Sequence, residues 1–488
     1  MHEPDSDALQ NADLVPTGPD QRTWRWYHFG ALWIGMVVSI PAYMLAAGLI
    51  DQGMTPLQAT GTILLGNLIV LVPMLLIGHA GARYGIPYAV LVRSAFGTSG
   101  ARVPALARAL VACGWFGIQT WVGGNTLLAL LTLLTGWRPG GAPLPVLGID
   151  AAHLLCFLAF WLIQLAFVTK GLDMVRKLET WTAPFKIMIC IALLGWAMTH
   201  AGGLTPLFEA GPATADAPVF GAIFWPSLTA MVGFWATLAL NIPDFTRFAK
   251  SQRDQILGQS IGLPVPMALL AVVAVVATAA TRIVFGRAIW DPVELATNMD
   301  SIGVLIGLLI ISVDTVSCNI AANLVGPAYD FAALAPRLIS YRRGAFITAV
   351  IGLVILPWKL IENSGGYIFT WLVGYSALLG PIAGIMITDY WVVRRTRLTV
   401  SALFDPAGEY SYVSGWNPAA ILALVAGVAP TLPGFLAAAF PDRFSGMPAM
   451  VTMLYPYAWF VGAAISSLVY YGIMQATRVA PGDMAHAA

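Results

Sequence analysis

The chain has 488 residues, of which 58% are hydrophobic and only 10% charged, with a mean hydropathy of +0.77. A soluble domain of ordinary composition carries about 25% charged residues, so these figures exclude a water-soluble globule and place the chain among membrane proteins. A formal net charge of +1 provides no basic surface for nucleic acid, and the four cysteines (Cys113, Cys156, Cys190, Cys318) have neither metal-ligand nor disulfide-framework spacing.

Residues 1–27 are polar and contain Pro16, Gly18 and Pro19. They lack a basic stretch followed by a short apolar core, so they are expected to form a cytoplasmic tail, not a cleaved signal. A membrane helix needs about 20 apolar residues. Windows of that kind fall at 29–50, 57–78, 103–134, 151–169, 180–200, 219–240, 259–284, 301–328, 344–361, 367–390, 417–439 and 452–475, which gives twelve spans. With the N-terminus inside, nineteen Lys and Arg fall on the cytoplasmic side and five (Arg138, Arg282, Arg287, Lys359, Arg443) on the other. Basic residues are retained on the cytoplasmic face, so twelve spans with both termini cytoplasmic are expected. Lys186 alone lies inside a span. The connections at about 80–100 and at 394–416 are expected to lie on the membrane surface.

The first span is interrupted at Ser39-Ile40-Pro41, because proline removes a backbone donor and disfavours helix before it. The sixth carries Gly233, Phe234 and Trp235 in its middle and closes on Asn241-Ile242-Pro243-Asp244. Proline and glycine are frequent in membrane helices, so one break alone is structural. Two breaks at corresponding positions of two halves point to a transport site near the midplane.

In the third span Trp115 and Gln119 are four residues apart and share a helical face. Either they pack and hydrogen-bond between helices, or they offer a stacking surface and an amide to a flat ring. In the eighth, Asp314, Ser317 and Cys318 share one face, and Asn323 lies about half a turn around the axis. An ionisable residue within a membrane helix is a functional candidate by default. For Asp314 the alternatives are a structural pair with Lys186 or a cation site.

Taken with Ile40-Pro41-Ala42-Tyr43, Trp115 to Trp121, Asn241 to Arg247, Asn319 to Asn323 with Gly326-Pro327, and Gly380 to Gly384 leading to Asp389-Tyr390, the sequence resembles the nucleobase-cation-symporter-1 family, on the bacterial hydantoin and allantoin branch. The resemblance implies an all-α polytopic protein with a LeuT-like five-plus-five inverted repeat over 28–390. A cytoplasmic loop at 391–416, two additional helices over 417–475 and a cytoplasmic tail at 476–488 would follow. It implies that Trp115 and Trp235 sandwich a planar ring, that Gln119 and Asn323 bond its amides, and that Gly233 and Phe234 line an unwound stretch, with Ser39 where relatives place an amide. It implies a cation site at Gly35, Val38, Asp314 and Ser317, with Cys318 in place of a hydroxyl. Sulfur is a poor partner for sodium. A pair of Lys186 with Asp314 would favour protons, so sodium and proton both stand as coupling ions, with no cofactor.

The expected activity is inner-membrane symport of a nucleobase, hydantoin or allantoin by a monomer. The alternative within the fold is a vitamin-like ring such as thiamine or pyridoxine. A channel would need a ring of filter residues. An enzyme would need a nucleophile with its base, and the six histidines are scattered without metal spacing.

Overall fold

The computed structural model describes residues 9–137, 140–168, 172–203, 205, 219–298, 302–444 and 446–477. Arg138, Lys170 and Arg478, part of the charge count, lie outside these residues, as do the side chains of Arg176 and Lys177 and the last eleven residues. The described chain is mostly helical, with no strand among the described residues, and a helix stands at each of the twelve expected windows. Six helices are individually long and apolar enough to cross a bilayer: Pro56–Tyr84, Arg102–Thr135, Gln252–Phe285, Gly307–Leu334, Gly366–Val393 and Ala449–Ala476. Three more crossings are bent pairs, Trp26–Val37 with Ile40–Asp51 (57°), Phe220–Phe234 with Ala236–Thr246 (40°), and Pro418–Val428 with Leu432–Ala439 (52°). Ala151–Phe167, Pro184–His200 and Tyr341–Val354 are shorter apolar helices at the remaining windows.

The first break follows directly from Pro41. Its ring would collide with the carbonyl four residues back, which belongs to Val37, the last residue of the first half-helix. The chain therefore leaves the helix at Val38 (ψ 83°), is extended at Ser39 (φ −142°, ψ 157°), and restarts with Pro41 in the first turn. There its missing N–H costs nothing. The sixth segment breaks one residue later than Gly233-Phe234 suggested. Both of those residues are helical, and Trp235 (φ −97°, ψ 3°) carries the bend. Gly233 is small for another reason: a Cβ there would overlap Ser376 Oγ of the tenth segment and lie 2.9 Å from the Leu372 carbonyl.

The 80–100 connection, expected on the membrane surface, is packed inside the protein from Gly85 to Thr98, whereas most of the 394–416 connection is exposed or half-exposed. Tyr88–Leu91 and Arg93–Phe96 are short helical turns whose residues are all buried. Burial is tolerated because their polar groups have partners. Tyr88 N donates to Asp244 Oδ1 (2.9 Å), Ser94 Oγ to Asp389 Oδ2 (2.8 Å) and Arg93 Nη1 to the Leu403 carbonyl (3.0 Å). Arg394 Nε donates to both Asp389 oxygens (3.0 and 2.9 Å) and its Nη2 to the Ser94 carbonyl (2.8 Å). Tyr470 of the last helix donates to the same carboxylate (2.8 Å).

The N-terminal segment is bound across this face. Asn11 Nδ2 donates to the carbonyls of Pro336 and Ile339 (2.9 and 3.1 Å), and Tyr341 N donates to Asp13 Oδ2 (2.9 Å). Thr17 N donates to the Gly85 carbonyl (2.8 Å), while Trp24 exchanges backbone bonds with Phe248 (2.9 Å) and Lys250 (2.8 Å). Gly85 is left-handed (φ 72°), and a Cβ on it would lie 2.7 Å from the Thr17 carbonyl. We call this the terminal face.

Candidate functional site

The two broken segments and the third, eighth and tenth meet in a buried centre. Trp115 (3% exposed) makes edge-on ring contacts with Phe234 (centroids 5.2 Å), Tyr367 (6.1 Å), Trp371 (6.0 Å) and Tyr375 (6.3 Å). Phe234 in turn contacts Trp235 at 4.8 Å, and Trp235 contacts Trp33 at 5.4 Å. Phe234 thus touches both indoles expected to flank a ring. Trp235 Nε1 is committed to Asn67 Oδ1 (2.9 Å). By contrast Gln119 Oε1 is buried with no hydrogen-bond partner in the protein, and Trp115 Nε1 and the Tyr375 hydroxyl interact only with each other, outside hydrogen-bond geometry. Such groups cost roughly 1–3 kcal/mol each unless something satisfies them.

Tyr367, Trp371 and Tyr375 did not enter the sequence reading, although their spacing of four in the tenth window was a visible signal. The segment Gly366–Leu372 is π-helical, a rare geometry that concentrates at functional sites. The same geometry recurs at Ile320–Leu324 and carries Asn323. Asn323 Nδ2 donates to Asn319 Oδ1 (3.0 Å), and Asn319 Nδ2 donates to Gln164 Oε1 (2.6 Å) and the Phe116 carbonyl (3.0 Å). Gln164 closes this network on Thr120 Oγ1 (2.8 Å).

Beside this centre lies a polar group built on the broken first helix. A helix end leaves carbonyls without intrahelical donors, and its partial negative charge favours a cation. Lys186 Nζ donates to the Gly35 carbonyl and forms an ion pair with Asp314 Oδ1. Cys318 Sγ donates to the Met36 carbonyl (3.6 Å) and accepts from Gln119 Nε2 (3.8 Å). The thiol therefore links Gln119 of the third segment to the Met36 carbonyl, next in the chain to the Gly35 carbonyl that Lys186 holds. Ser317 Oγ donates to the Asp314 carbonyl of its own helix (3.2 Å). Val38 is half-buried at the break and Ser39 is buried beside it.

The centre is closed on both sides. On the face opposite the termini, Tyr367 OH donates to the Pro41 carbonyl (2.9 Å), and Ser364 Oγ bonds Gln52 Nε2 (2.7 Å) and Asp51 Oδ2 (2.5 Å). Trp290 lies over Tyr367 (6.2 Å). Toward the terminal face, Arg108 and Asp330 form a fully buried pair at 3.1 Å. Asp244 accepts from Asn241 Nδ2 (3.1 Å) nearby in the chain, so the Asn241–Arg247 motif builds this closure and not the aromatic centre.

Residues 15–462 match the family described as permease for cytosine/purines, uracil, thiamine, allantoin. The chain belongs to this family. It is 45% identical to a purine-uracil permease of Arabidopsis thaliana over 96% of this chain and 78% of that one. It is 38% identical to an allantoin permease of Bacillus subtilis over 96% and 94%. Among solved structures it resembles Mhp1, a nucleobase-cation-symport-1 family transporter in a closed conformation with bromovinylhydantoin bound (TM-score 0.75, 24% identity, 96% and 95% covered). A sodium-coupled sialic acid symporter is similar at TM-score 0.62 and 12% identity, covering 97% and 94%. These likenesses establish the LeuT-like fold, and this family member is a membrane permease and not an enzyme.

Proposed function

We propose that this permease imports a small, neutral, planar nitrogen heterocycle of the allantoin, hydantoin, purine or uracil type, coupled to proton entry. The observation that carries the substrate reading is the set of polar atoms on Trp115, Gln119 and Tyr375 that make no well-formed hydrogen bond within an aromatic cluster. A flat ring bearing amide groups would satisfy them while stacking, each aromatic contact adding about 0.5–1.5 kcal/mol beyond burial. The side chains grouped around Trp115 are neutral, which argues against a cationic ring such as thiamine.

The coupling ion follows from Lys186. The oxygens expected to hold sodium include the Gly35 carbonyl and Asp314, and both are engaged by the Lys186 ammonium. A second unit charge about 4 Å from it would be repelled by roughly 4 kcal/mol at an effective dielectric of 20. This donor set therefore fits a resident ammonium better than a metal ion. Proton exchange between Lys186 and Asp314 would loosen the Gly35 contact, and Cys318 would relay that change to Gln119. Nineteen basic residues on the terminal side against five support a cytoplasmic terminal face in a cell inner membrane, and we take the working unit to be the monomer.

Purified protein in liposomes, given labelled allantoin, hydantoin, uracil and purines, tests both parts. The expected result is accumulation of at least one of them under an inward pH gradient without sodium. Accumulation that requires sodium and ignores the pH gradient would overturn the coupling but leave the substrate class standing. Uptake of thiamine alone would overturn the substrate class.

A further inference from the structure

A cavity of about 660 Å³ opens on the terminal face, lined by none of the residues of the aromatic centre. Its walls include Tyr84 at the end of the second segment, Arg394, Arg397, Thr399 and Glu409 of the connection after the tenth, and Met474 in the last turn of the twelfth. The volume lies within the range of small-ligand sites. The chain is bent into this shape by two consecutive left-handed residues, Arg395 (φ 49°) and Thr396 (φ 63°). Arg83 Nη1 holds the Thr396 hydroxyl (3.0 Å) and Tyr84 OH holds its carbonyl (2.7 Å), so the bend is fixed by the second segment.

The charges in the cavity are unequal. Arg394 is committed to the buried Asp389 behind the wall and lies 3.7 Å from Glu409, so its one charge is shared between two carboxylates. Arg397 is exposed at the wall and has no side-chain partner among the described residues. Of the two guanidiniums and one carboxylate in the lining, Arg397 is therefore the exposed guanidinium open to a phosphate oxygen. Beside it the outer surfaces of the tenth and twelfth segments expose Val392, Leu468 and Tyr471. An apolar flank next to a basic pocket at a helix end is what a phospholipid needs: a slot for the headgroup and a path for the acyl chains.

We propose that this cavity binds the headgroup of an anionic phospholipid of the terminal-side leaflet, with Arg397 contacting the phosphate. The proposal rests on membrane embedding alone and is independent of the transported substrate.

The test uses the full chain in detergent, titrated with phosphatidylglycerol, phosphatidylcholine and inorganic phosphate, with thermal stability and native mass spectrometry as readouts. Phosphatidylglycerol is expected to stabilise the protein and to remain bound, whereas phosphatidylcholine does neither. Arg397→Gln is expected to weaken phosphatidylglycerol binding about fivefold without changing the melting temperature in lipid-free detergent. Arg253→Gln, exposed elsewhere on the same face, is expected to leave binding unchanged. Equal losses in both variants would reduce the effect to general surface charge and overturn the site. Equal stabilisation by inorganic phosphate would make it a soluble-anion site, and no preference over phosphatidylcholine would remove it.

Discussion

Lys186 of the fifth segment and Asp314 of the eighth form an ion pair against the carbonyl of Gly35, at the point where Pro41 breaks the first helix. Removing one partner of a buried pair leaves a charge uncompensated, at a cost of about 3–5 kcal/mol. Lys186→Met is therefore expected to lower the melting temperature sharply, and Lys186→Met with Asp314→Asn to recover most of it. Neither protein is expected to accumulate substrate under a pH gradient, although the double variant should still exchange it. Concentrative uptake by the double variant would sever the pair from coupling.

The aromatic centre makes a graded prediction. Trp115→Ala removes the ring that contacts Phe234, Tyr367, Trp371 and Tyr375, and should abolish ligand-induced thermal stabilisation. Tyr375→Phe deletes only a hydroxyl that makes no well-formed hydrogen bond, its one neighbour being the Trp115 side chain. It should weaken binding by roughly 2- to 12-fold, the equivalent of one hydrogen bond of about 0.5–1.5 kcal/mol, and leave the free protein as stable as before. Unchanged affinity in Tyr375→Phe would show that the hydroxyl does not face the ligand.

Gly233 and Ser376 set how closely the sixth and tenth segments approach. Gly233→Ala drives a methyl into Ser376 Oγ, an overpacking expected to cost about 1–3 kcal/mol. Because Ser376 Cβ would still stand 3.4 Å away, Gly233→Ala with Ser376→Ala should regain part of the loss. Chemical denaturation of the three proteins measures the coupling.

The N-terminal segment is expected to hold the terminal face shut. Asn11→Ala with Asp13→Ala deletes the side-chain bonds to Pro336, Ile339 and Tyr341. Hydrogen exchange should then accelerate in 336–341 and, if the closure opens as a unit, in 243–250. Protection that falls only within 9–25 would confine the segment to a passive covering.

Asp291 lies outside the spanning segments, where burial pushes its carboxyl up to about 6. Between the unfolded value near 4 and about 6 the folded state holds a proton that the unfolded state has lost. Its contribution to stability therefore falls as pH rises through that window and is level above it. Asp291→Asn keeps a side-chain acceptor for the Val293 N–H, as asparagine caps about as well as aspartate. The difference in melting temperature between the variant and the unchanged protein should grow from pH 4 to pH 6 and then stay constant. A difference independent of pH would show that Asp291 titrates normally.

What the sequence determined by itself were the features that depend on local composition. Twenty-residue apolar windows and one-sided basic residues set the segments, because insertion into a bilayer is decided segment by segment. Pro41 set the first break, since its clash reaches only four residues back. What only the tertiary structure decided were relationships between segments remote in the chain. The sixth break sits at Trp235 and not at Gly233-Phe234, because packing on Ser376, not backbone freedom, requires that glycine. The 80–100 connection is buried because Asp244 and Asp389, far away in sequence, satisfy its polar groups, and Arg394 and Tyr470 hold that same Asp389 in place. Gly35, Lys186 and Asp314 are separated by more than a hundred residues at each step; the sequence offers a Lys186–Asp314 pair as an alternative to a cation site, and only the fold shows that the same ammonium takes the Gly35 carbonyl. Only the folding of the fifth and eighth segments against the broken first helix brings that charge to those oxygens.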